Sequence, residues 1–509
     1  MGTRKPEETG APSWKAWRWV ALTLSCLVLL GPYAAFDNPA ATNPQLREHM
    51  RDQGLNAGST FDESYALLYT VYSIPNTVLP LLGGAMTDRL SPRVMLVALS
   101  VTQFAGQCIF AIGTGLRSWD TMLGGRVVFG LGGEVLTVVN SFLVSRWFAG
   151  AELGTALAII VGFGRGCSVL NDGVSPLFTD PTDAYWLSAG LCAVSCCAAV
   201  GVALLDGKRV QSAGMAEHSD EVAGEVPLAD HAESGEGVAA PRPGGAAPSP
   251  GCLASGQAML RSAIAALGSF TTAFWVLSAA FVIGAASISS YNNVATDYLK
   301  FRWGIRQPDA DSSQRRGLTL GIIYLVSAVT APMAGALVDR FGRRWPLMLA
   351  GMVIAACSHA LLGLPPLWAV PVEVTHALLG VAYALFASSN WSLVPLLVPP
   401  KLGGSSYGVA TALQNIGLAI FPLAVSALQP RSGGAQGACS GLVASLGGEW
   451  GYTCTEALLL AMAAASAAAT AALGCLEAAA VRSCAERLDD ADPPKDKGGA
   501  SAPLLINGE

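Results

Sequence analysis

"GGAMTDRLSPR" at residues 83–93 and "GALVDRFGRR" at residues 335–344 are two copies of one short pattern, Gly-x-x-x-Asp-Arg. Each copy follows a long apolar stretch, and the copies lie in opposite halves of the chain. The first copy departs from the second at Ser91 and Pro92, where the second has Gly and Arg. A basic loop alone explains the arginines, but the repeated spacing from Gly to Asp indicates an internal duplication.

The composition is that of a protein embedded in a membrane. Of the 509 residues, 52% are hydrophobic and only 13% are charged, whereas soluble proteins carry about a quarter charged residues. We predict an all-α polytopic membrane protein with twelve transmembrane helices in the lipid bilayer. The apolar blocks, each long enough to cross ~30 Å of hydrocarbon, lie at residues 17–36, 64–86, 94–115, 121–146, 154–178, 184–206, 268–291, 317–338, 345–364, 367–398, 404–428 and 454–480.

A polar segment at residues 207–262 interrupts the apolar pattern. It is acidic at first and then rich in Pro, Gly and Ala, so it cannot bury enough apolar surface to fold and is predicted to be a flexible linker. Lys and Arg are concentrated on the side of both termini, which assigns that side to the cytosol. The predicted segments are a cytosolic N-terminus (1–16), a six-helix bundle (17–206), the cytosolic linker (207–262), a second six-helix bundle (263–480) and a cytosolic tail (481–509).

The sequence contains no nucleophile–base set, no metal-ligand spacing and no phosphate-binding loop. We therefore predict that the protein is not an enzyme, holds no metal or cofactor, and has no nucleic acid partner. Cys439 and Cys454 bracket the last predicted external loop. A disulfide between them and two free thiols are both compatible with the sequence.

The duplicated loop resembles the cytosolic loop motif of the major facilitator superfamily, and the resemblance covers essentially the whole chain. It implies the major facilitator fold of two six-helix bundles. In that family the aspartate of each loop lies at a helix N-terminus of the other half, where the helix dipole favours negative charge, and latches the cytosolic side shut. Together with an arginine at the start of the fourth span, the implied latch comprises Gly84, Asp88, Arg89, Arg126, Gly335, Asp339, Arg340 and Arg343.

Two charged residues lie inside apolar blocks of the first half. Glu134 is in "VFGLGGEVLT" (128–137), and Arg165 is in "VGFGRGCSVLN" (161–171). A charge in the bilayer core is unfavourable and marks a functional site by default. Three interpretations stay open: a permanent ion pair between helices, two charges held apart to bind the ends of a zwitterion, and a lone Glu134 that carries a proton.

Further stretches resemble one branch of the superfamily, the lysosomal dipeptide uniporters. The resemblance implies that Glu134 and Arg165 hold the two ends of a dipeptide, and that a glycosylated single-span accessory membrane protein is a partner. It implies a lysosomal or vacuolar membrane, with the plasma membrane as alternative because the family's N-terminal sorting signal is missing. The stretches are "FDNPAA" (36–41), "LLYTVYSIPNTVL" (67–79), "GRVVFGLGGE" (125–134), "GRGCSVLN" (164–171) and "LQNIGLAI" (413–420).

Other residues of the predicted spans are candidates to line the cavity, with interhelical hydrogen bonds or packing as the alternative. Pro75 is predicted to bend the second span, because it lacks the N–H of a helix hydrogen bond. His359 is predicted to be a hydrogen-bonded core histidine, and Glu373 with His376 a hydrated pair at the external end of the tenth span. The cavity candidates are Tyr69, Tyr72, Asn76, Asn171, Trp391, Gln414 and Asn415.

The leading functional hypothesis is transport of dipeptides from an acidic lumen to the cytosol by alternating access, as a uniporter. A proton-coupled symporter of another small organic ion is the second hypothesis, since Glu and His side chains of the second half suit pH coupling. A non-transporting nutrient sensor is the third. Uniport and proton coupling are not separated by the sequence.

Overall fold

The computed structural model describes residues 14–51, 61–148, 152–224, 267–306, 313–342, 344–364, 370–428 and 452–489. Within these ranges the chain forms α-helices joined by short turns, and no described residue lies in a β-strand. The first half contains α1 (Trp14–Ala41), α2 (Asn43–His49), α3 (Phe61–Asn76), α4 (Leu79–Thr87), α5 (Pro92–Gly115), α6 (Trp119–Trp147), α7 (Leu153–Val174) and α8 (Pro181–Gly224). The second half contains α9 (Thr272–Arg306), α10 (Ser313–Phe341), α11 (Trp345–Leu362), α12 (Val372–Leu393), α13 (Gly403–Ala427) and α14 (Thr453–Asp489).

Every predicted apolar block is occupied by a helix or a helix pair. Among the described residues, ten helices are long and apolar enough to cross a membrane, and α3 with α4 forms an eleventh candidate bent by 42°. The bend follows Pro75, as predicted, since proline removes a helix hydrogen bond. The remaining block, 404–428, is occupied by α13, a helix of 25 residues.

Local sequence signals explain where several helices begin. The hydroxyl of Ser118 accepts a hydrogen bond from the backbone N–H of Thr121 and so caps α6, which is a usual role of serine at a helix N-terminus. Helices α4, α5 and α11 each carry a proline in the first turn, where its missing N–H has no helix partner in any case. The serine cap and the first-turn prolines thus mark where these helices begin, and apolar content determines which helices enter the membrane.

Helices pack mainly within each half and meet across a narrower interface. In the first half, α1 packs against α7 and α8, and α5 packs against α6 and α8. In the second half, α9 packs against α13 and α14, and α11 packs against α12 and α14. The two halves meet where α7 contacts α10 and α12, and where α4 and α6 contact α13. Small residues permit these approaches; a Cβ at Gly31 would lie 2.4 Å from the Cα of Cys192.

The sixth long helix of the first half extends beyond the apolar block 184–206 that predicts it. Helix α8 continues through Gly224, so residues 207–224 are helical. The composition of this stretch explains the difference. Lys208 and Arg209 are too polar, and several alanines too small, to indicate a membrane span, but these residues favour a helix. The rest of the predicted linker lies outside the described residues.

Candidate functional site

Arg165 lies on α7 where this helix packs against α10 and α12. Its guanidinium donates a 2.7 Å hydrogen bond to the hydroxyl of Tyr383 and lies 4.6 Å from the centre of that ring. The ring of Tyr324 lies 5.3 Å from the guanidinium carbon, and aromatic faces attract cations. Tyr383 is the hydrogen-bond partner of Arg165 among the described residues, so other guanidinium donors stay available to a ligand.

Glu134 lies on α6 and is held there through its backbone. Its N–H donates a 3.2 Å hydrogen bond to Oδ1 of Asn76, whose Nδ2 in turn donates to the carbonyl of Gly130. A Cβ at Gly133 would lie 2.7 Å from the hydroxyl of Tyr72, so glycine lets that ring lie against α6. The Glu134 side chain is half-buried and forms no salt bridge with any described residue.

Tyr33 on α1 lies in the neighbourhood of both charges. Its phenol interacts electrostatically with both Arg165 and Glu134. A Cβ at Gly164 would lie 2.8 Å from the Tyr33 ring, so glycine at this position lets the ring pack onto α7. Both charges are thus within electrostatic range of the Tyr33 phenol. Among the described residues, Arg165 and Glu134 do not form the ion pair that was one of the three interpretations.

Asp37 is a third charge of this site, and it is absent from the predicted site residues. Its side chain lies near Ser168 of α7 and within electrostatic range of Arg165 and Arg126. The first apolar block was predicted to end at residue 36, but α1 continues to Ala41 and places Asp37 inside the bundle. The signal in the sequence that could have identified this residue is the aspartate in "FDNPAA" (36–41).

Arg126 belongs with this central site and lies away from the aspartates with which it was grouped. Its guanidinium is buried and donates hydrogen bonds to the backbone carbonyls of Ala35 and Phe36 on α1, and it lies 4.7 Å from the ring centre of Phe110. Phe142, at the other end of α6, lies beside Gly403 at the start of α13. The sixteen residues from 126 to 142 correspond to about 24 Å of helix.

Asn76 and Asn415, two of the predicted amide residues, take part in interhelical hydrogen bonds. Asn76 bonds to α6, and its carbonyl accepts a 2.7 Å hydrogen bond from Nδ2 of Asn415 on α13. Asn171 bonds within its own helix end, where its Oδ1 accepts a 2.8 Å hydrogen bond from the hydroxyl of Ser175. Gln414 is half-buried on α13 and forms no hydrogen bond with a described residue.

The predicted aromatic residues pack in two places. Tyr69 and Tyr72 lie against the ring of Phe36, with centroids 5.7 Å and 4.8 Å apart, and this places them beside the central site. Trp391 instead packs in the second half, edge-on to Phe281 at 5.1 Å and stacked near Tyr407 at 6.1 Å.

Asp88 joins the two halves at one end of the helix bundle. Its carboxylate accepts hydrogen bonds from the backbone N–H groups of Gly404 and Ser405, at 2.7 Å and 2.8 Å, and from the hydroxyl of Ser405 at 2.5 Å. These donors are the first residues of α13, where a negative charge is favoured by the helix dipole. Burial raises the pKa of the Asp88 carboxyl above its usual value, and the hydrogen bonds from Ser405 and Gly404 act in the opposite direction.

Asp339 of the second half makes the equivalent contact with a helix start of the first half. Its carboxylate accepts hydrogen bonds from the N–H groups of Gly154 and Thr155, at 2.8 Å and 2.7 Å, and from the Thr155 hydroxyl at 2.7 Å. These donors begin α7 of the first half. The end of the bundle that carries Asp88 and Asp339 is called the aspartate face.

Glycines bring the helices together at the aspartate face. A Cβ at Gly84 would lie 2.4 Å from the carbonyl oxygen of Gly404, and one at Gly335 would lie 2.5 Å from that of Gly154. Any larger residue would force the halves apart at this face. The side chains of Arg89 and Arg340 are exposed there, and Arg343 lies outside the described residues.

The expectation of a hydrated pair of Glu373 and His376 is wrong. His376 is completely buried and bonds to the hydroxyl of Tyr291, because α12 turns it towards α9. His359 is a buried, hydrogen-bonded histidine as predicted, and its partner is Glu456. Cys439 lies outside the described residues, so the disulfide with Cys454 stays a prediction.

The sequence of the chain was compared with known families and proteins. The family model described as Major Facilitator Superfamily matches residues 40–422 and 312–479. "Lysosomal dipeptide transporter MFSD1" of Bos taurus is 27% identical over 413 residues, covering 81% of this chain and 79% of the relative. The protein of the same name from Homo sapiens is 26% identical over 426 residues, covering 81% and 80%.

The fold was compared with solved structures. The crystal structure of the human organic anion transporter MFSD10 is similar with a TM-score of 0.58 at 16% identity, over 90% of this chain and all of that one (100%). At this identity the likeness concerns the fold alone. It agrees with the all-α, multi-span architecture predicted from the sequence.

Proposed function

Because the chain belongs to the Major Facilitator Superfamily, we propose that it is a secondary transporter that moves dipeptides by alternating access, as a uniporter and without ATP. The family and the apolar helices make it a multi-pass membrane transporter of a small molecule. The dipeptide substrate is supported by the names of its relatives, at 26–27% identity, and by the chemistry of the central site.

One observation carries this proposal. Arg165 and Glu134 do not pair with each other, and the Tyr33 ring, which packs on α7 at Gly164, lies within electrostatic range of both. A dipeptide is a zwitterion, with a carboxylate at one end and an ammonium group at the other. Arg165 can bind the carboxylate through two parallel N–H donors, and Glu134 can accept hydrogen bonds from the ammonium group. A neutral or singly charged substrate would leave one of the two charges without a partner.

The two carboxylates of the site have different tasks in this proposal. Asp37 lies within electrostatic range of Arg165 and Arg126, so it already has cations nearby. Glu134 forms no salt bridge with a described residue, so it is the carboxylate that the substrate's ammonium group completes. Asp37 positions Arg165, and Tyr33, Tyr69 and Tyr72 form the wall of the site near α1.

The aspartate contacts supply the closed face of an alternating-access cycle. Asp88 and Asp339 each tie a loop of one half to a helix start of the other by three hydrogen bonds. We propose that they latch the cytosolic side, together with Gly84 and Gly335. The cytosolic assignment rests on the distribution of Lys and Arg, and a lysosomal or vacuolar membrane rests on the relatives' names.

Purified protein in liposomes tests the proposed function. Dipeptides are expected to equilibrate across the membrane, so that the internal concentration reaches but does not exceed the external one with or without an imposed pH gradient. Free amino acids, sugars and N-acetylated peptides are expected to enter at the rate of empty liposomes. Accumulation above the external concentration that collapses with the pH gradient would establish the symporter instead, and peptide binding without flux would establish a sensor.

Substitution of the latch aspartates is expected to open the aspartate face. Asp88→Asn and Asp339→Asn each remove a charge that accepts three hydrogen bonds, and a hydrogen bond to a charged group is worth about 1.5–3 kcal/mol, so the open form should gain at least about tenfold. Spin labels at Leu90→Cys and Lys401→Cys, two exposed positions on either side of the Asp88 contact, measure the opening as a longer distance. Asp120→Asn is the control, because Asp120 lies at the end of α6 that is remote from the aspartate face. This variant should leave the distance between the two spin labels unchanged. Unchanged distances in both aspartate variants contradict the latch.

A further inference from the structure

A buried pair of ionisable side chains lies in the second half, apart from the central site. Nδ1 of His359 on α11 lies 2.9 Å from a carboxylate oxygen of Glu456 on α14, and both side chains have no exposed surface. Nε2 of the same histidine lies 3.2 Å from the hydroxyl of Ser287 on α9. His359 is fourteen residues from the start of α11, about 21 Å along the helix, so the pair lies far from the aspartate face.

A second histidine extends the polar cluster towards the central site. The ring of Tyr291 on α9 lies beside His359, and its hydroxyl is 2.7 Å from Nε2 of His376 on α12. Nδ1 of His376 is 2.8 Å from the carbonyl oxygen of Thr319 on α10. Helix α12 also carries Tyr383, which accepts the hydrogen bond of Arg165. The cluster and the substrate site are therefore joined through the same rigid helix.

The corresponding helices of the first half contain a polar cluster with no acidic or histidine side chain among its bonded residues. There, Nδ2 of Asn38 on α1 and Nε2 of Gln107 on α5 both donate to the hydroxyl of Ser188 on α8, at 3.0 Å and 2.8 Å. Neutral groups thus suffice to join the first, third and sixth spans of a half. A buried ion pair stabilises a fold poorly in comparison with packed apolar residues, so structural need does not explain His359 and Glu456.

We propose that His359 and Glu456, with Tyr291 and His376, form a proton-binding site that sets the rate of transport according to pH. When the pair takes up or releases a proton, the charge of the 2.9 Å contact between α11 and α14 changes, and the strength of that contact changes with it. The groups that face the pair are Ser287 and Tyr291 from α9 and, through Tyr291, His376 from α12. The change reaches α10 and α12, which contact Arg165 from the second half.

The inference rests on the proposed transport function for one of its two readouts only. The first readout is the thermal unfolding of the purified full chain in detergent, from about pH 5 to about pH 8, where histidine titrates. The second is the initial rate of dipeptide uptake into liposomes over the same range, with the peptide gradient fixed. Absence of uptake in the native protein would count against the proposed function, and the unfolding profile would still decide the proton site.

Five variants make the test specific. Glu456→Gln and His359→Gln each remove one ionisable group, and their double variant removes the pair. Tyr291→Phe removes a single hydroxyl and serves if either glutamine variant cannot be purified. His49→Asn is the matched control, because His49 forms an ion pair with Asp180 at a more exposed site and lies outside the cluster.

The native chain is expected to show a rate that changes with pH by up to about tenfold per unit, as one bound proton allows. Its unfolding temperature, relative to that of the double variant, should also change with pH, because only the native chain holds the ionisable pair. Glu456→Gln and His359→Gln should flatten both profiles, Tyr291→Phe should displace their midpoint, and His49→Asn should keep the native uptake profile. Native-like profiles in Glu456→Gln and His359→Gln, or a native rate without pH dependence, would overturn the proposal.

Discussion

Replacement of Arg165 by alanine is expected to lower the initial rate of dipeptide uptake by roughly 30-fold to several-thousand-fold, which corresponds to the loss of about 2–5 kcal/mol when a buried, hydrogen-bonded charge loses its partner. The substrate carboxylate loses its cation, and the hydroxyl of Tyr383 loses its donor at 2.7 Å. The measurement is uptake into liposomes that contain equal amounts of folded protein, as judged by size-exclusion elution.

Arg165→Lys separates charge from geometry in the same assay. An ammonium group retains the positive charge, but it cannot form the planar two-point contact with a carboxylate, so little activity should return. Arg47→Ala is the matched control, because the Arg47 guanidinium also lies over an aromatic ring, 4.3 Å from the centre of Phe61, at an exposed position. Full uptake by Arg165→Lys, or uptake by Arg165→Ala within about threefold of native, is incompatible with a carboxylate clamp.

The transmembrane architecture follows from the sequence because length and apolar content are local properties. A block of about 20 apolar residues has few alternatives to a membrane helix, and the break after Pro75 follows from a single missing N–H. The end of α8 was not predictable in this way. Hydropathy falls at residue 207, whereas helix propensity continues through Gly224, and the two properties mark different boundaries.

Only some of the charged residues inside the helix bundle could be predicted from the sequence. Glu134 and Arg165 stand out because apolar residues surround them in the sequence. Asp37 lies one residue beyond the first predicted block, and Glu456 lies near the start of the last block, so each resembles an ordinary interfacial charge. Their burial depends on helices that extend beyond the apolar residues, and on neighbours from other spans.

Contacts between the halves were beyond the reach of sequence patterns. Tyr324 and Tyr383 approach Arg165 from α10 and α12, and nothing in their local sequence indicates this. The grouping of Arg126 with the aspartates failed for a related reason, since a short motif gives residue types but no position along a helix axis. By contrast, Asp88 and Asp339 could be related to helix N-termini of the other half because the resemblance of both loops to the superfamily motif implies that contact.

Glu134→Gln is expected to discriminate between substrates by their N-termini. The amide occupies the same volume and leaves the backbone bond from residue 134 to Asn76 in place, but it lacks the charge that an ammonium group requires. Uptake of dipeptides with a free N-terminus should fall by about 10- to 100-fold, from about 1.5–3 kcal/mol for a hydrogen bond to a charged group. N-acetylated dipeptides, which the native protein should bind weakly, should bind equally weakly to the variant. Competition against a labelled dipeptide measures the binding of free and N-acetylated dipeptides to the native protein and to the variant.

Two companion variants decide between a substrate clamp and a structural ion pair. Asp37→Asn is the matched carboxylate control; since Asp37 already interacts with Arg165 and Arg126, its loss should weaken free and N-acetylated dipeptides alike. The charge-exchanged double variant, Glu134→Arg with Arg165→Glu, keeps one charge of each sign but reverses their positions against Tyr33 and Tyr383. A clamp that reads the direction of the peptide cannot work in that arrangement, so uptake should stay lost. Recovery of native uptake by the double variant would mean that the two side chains serve each other, and the substrate's ends would need other partners.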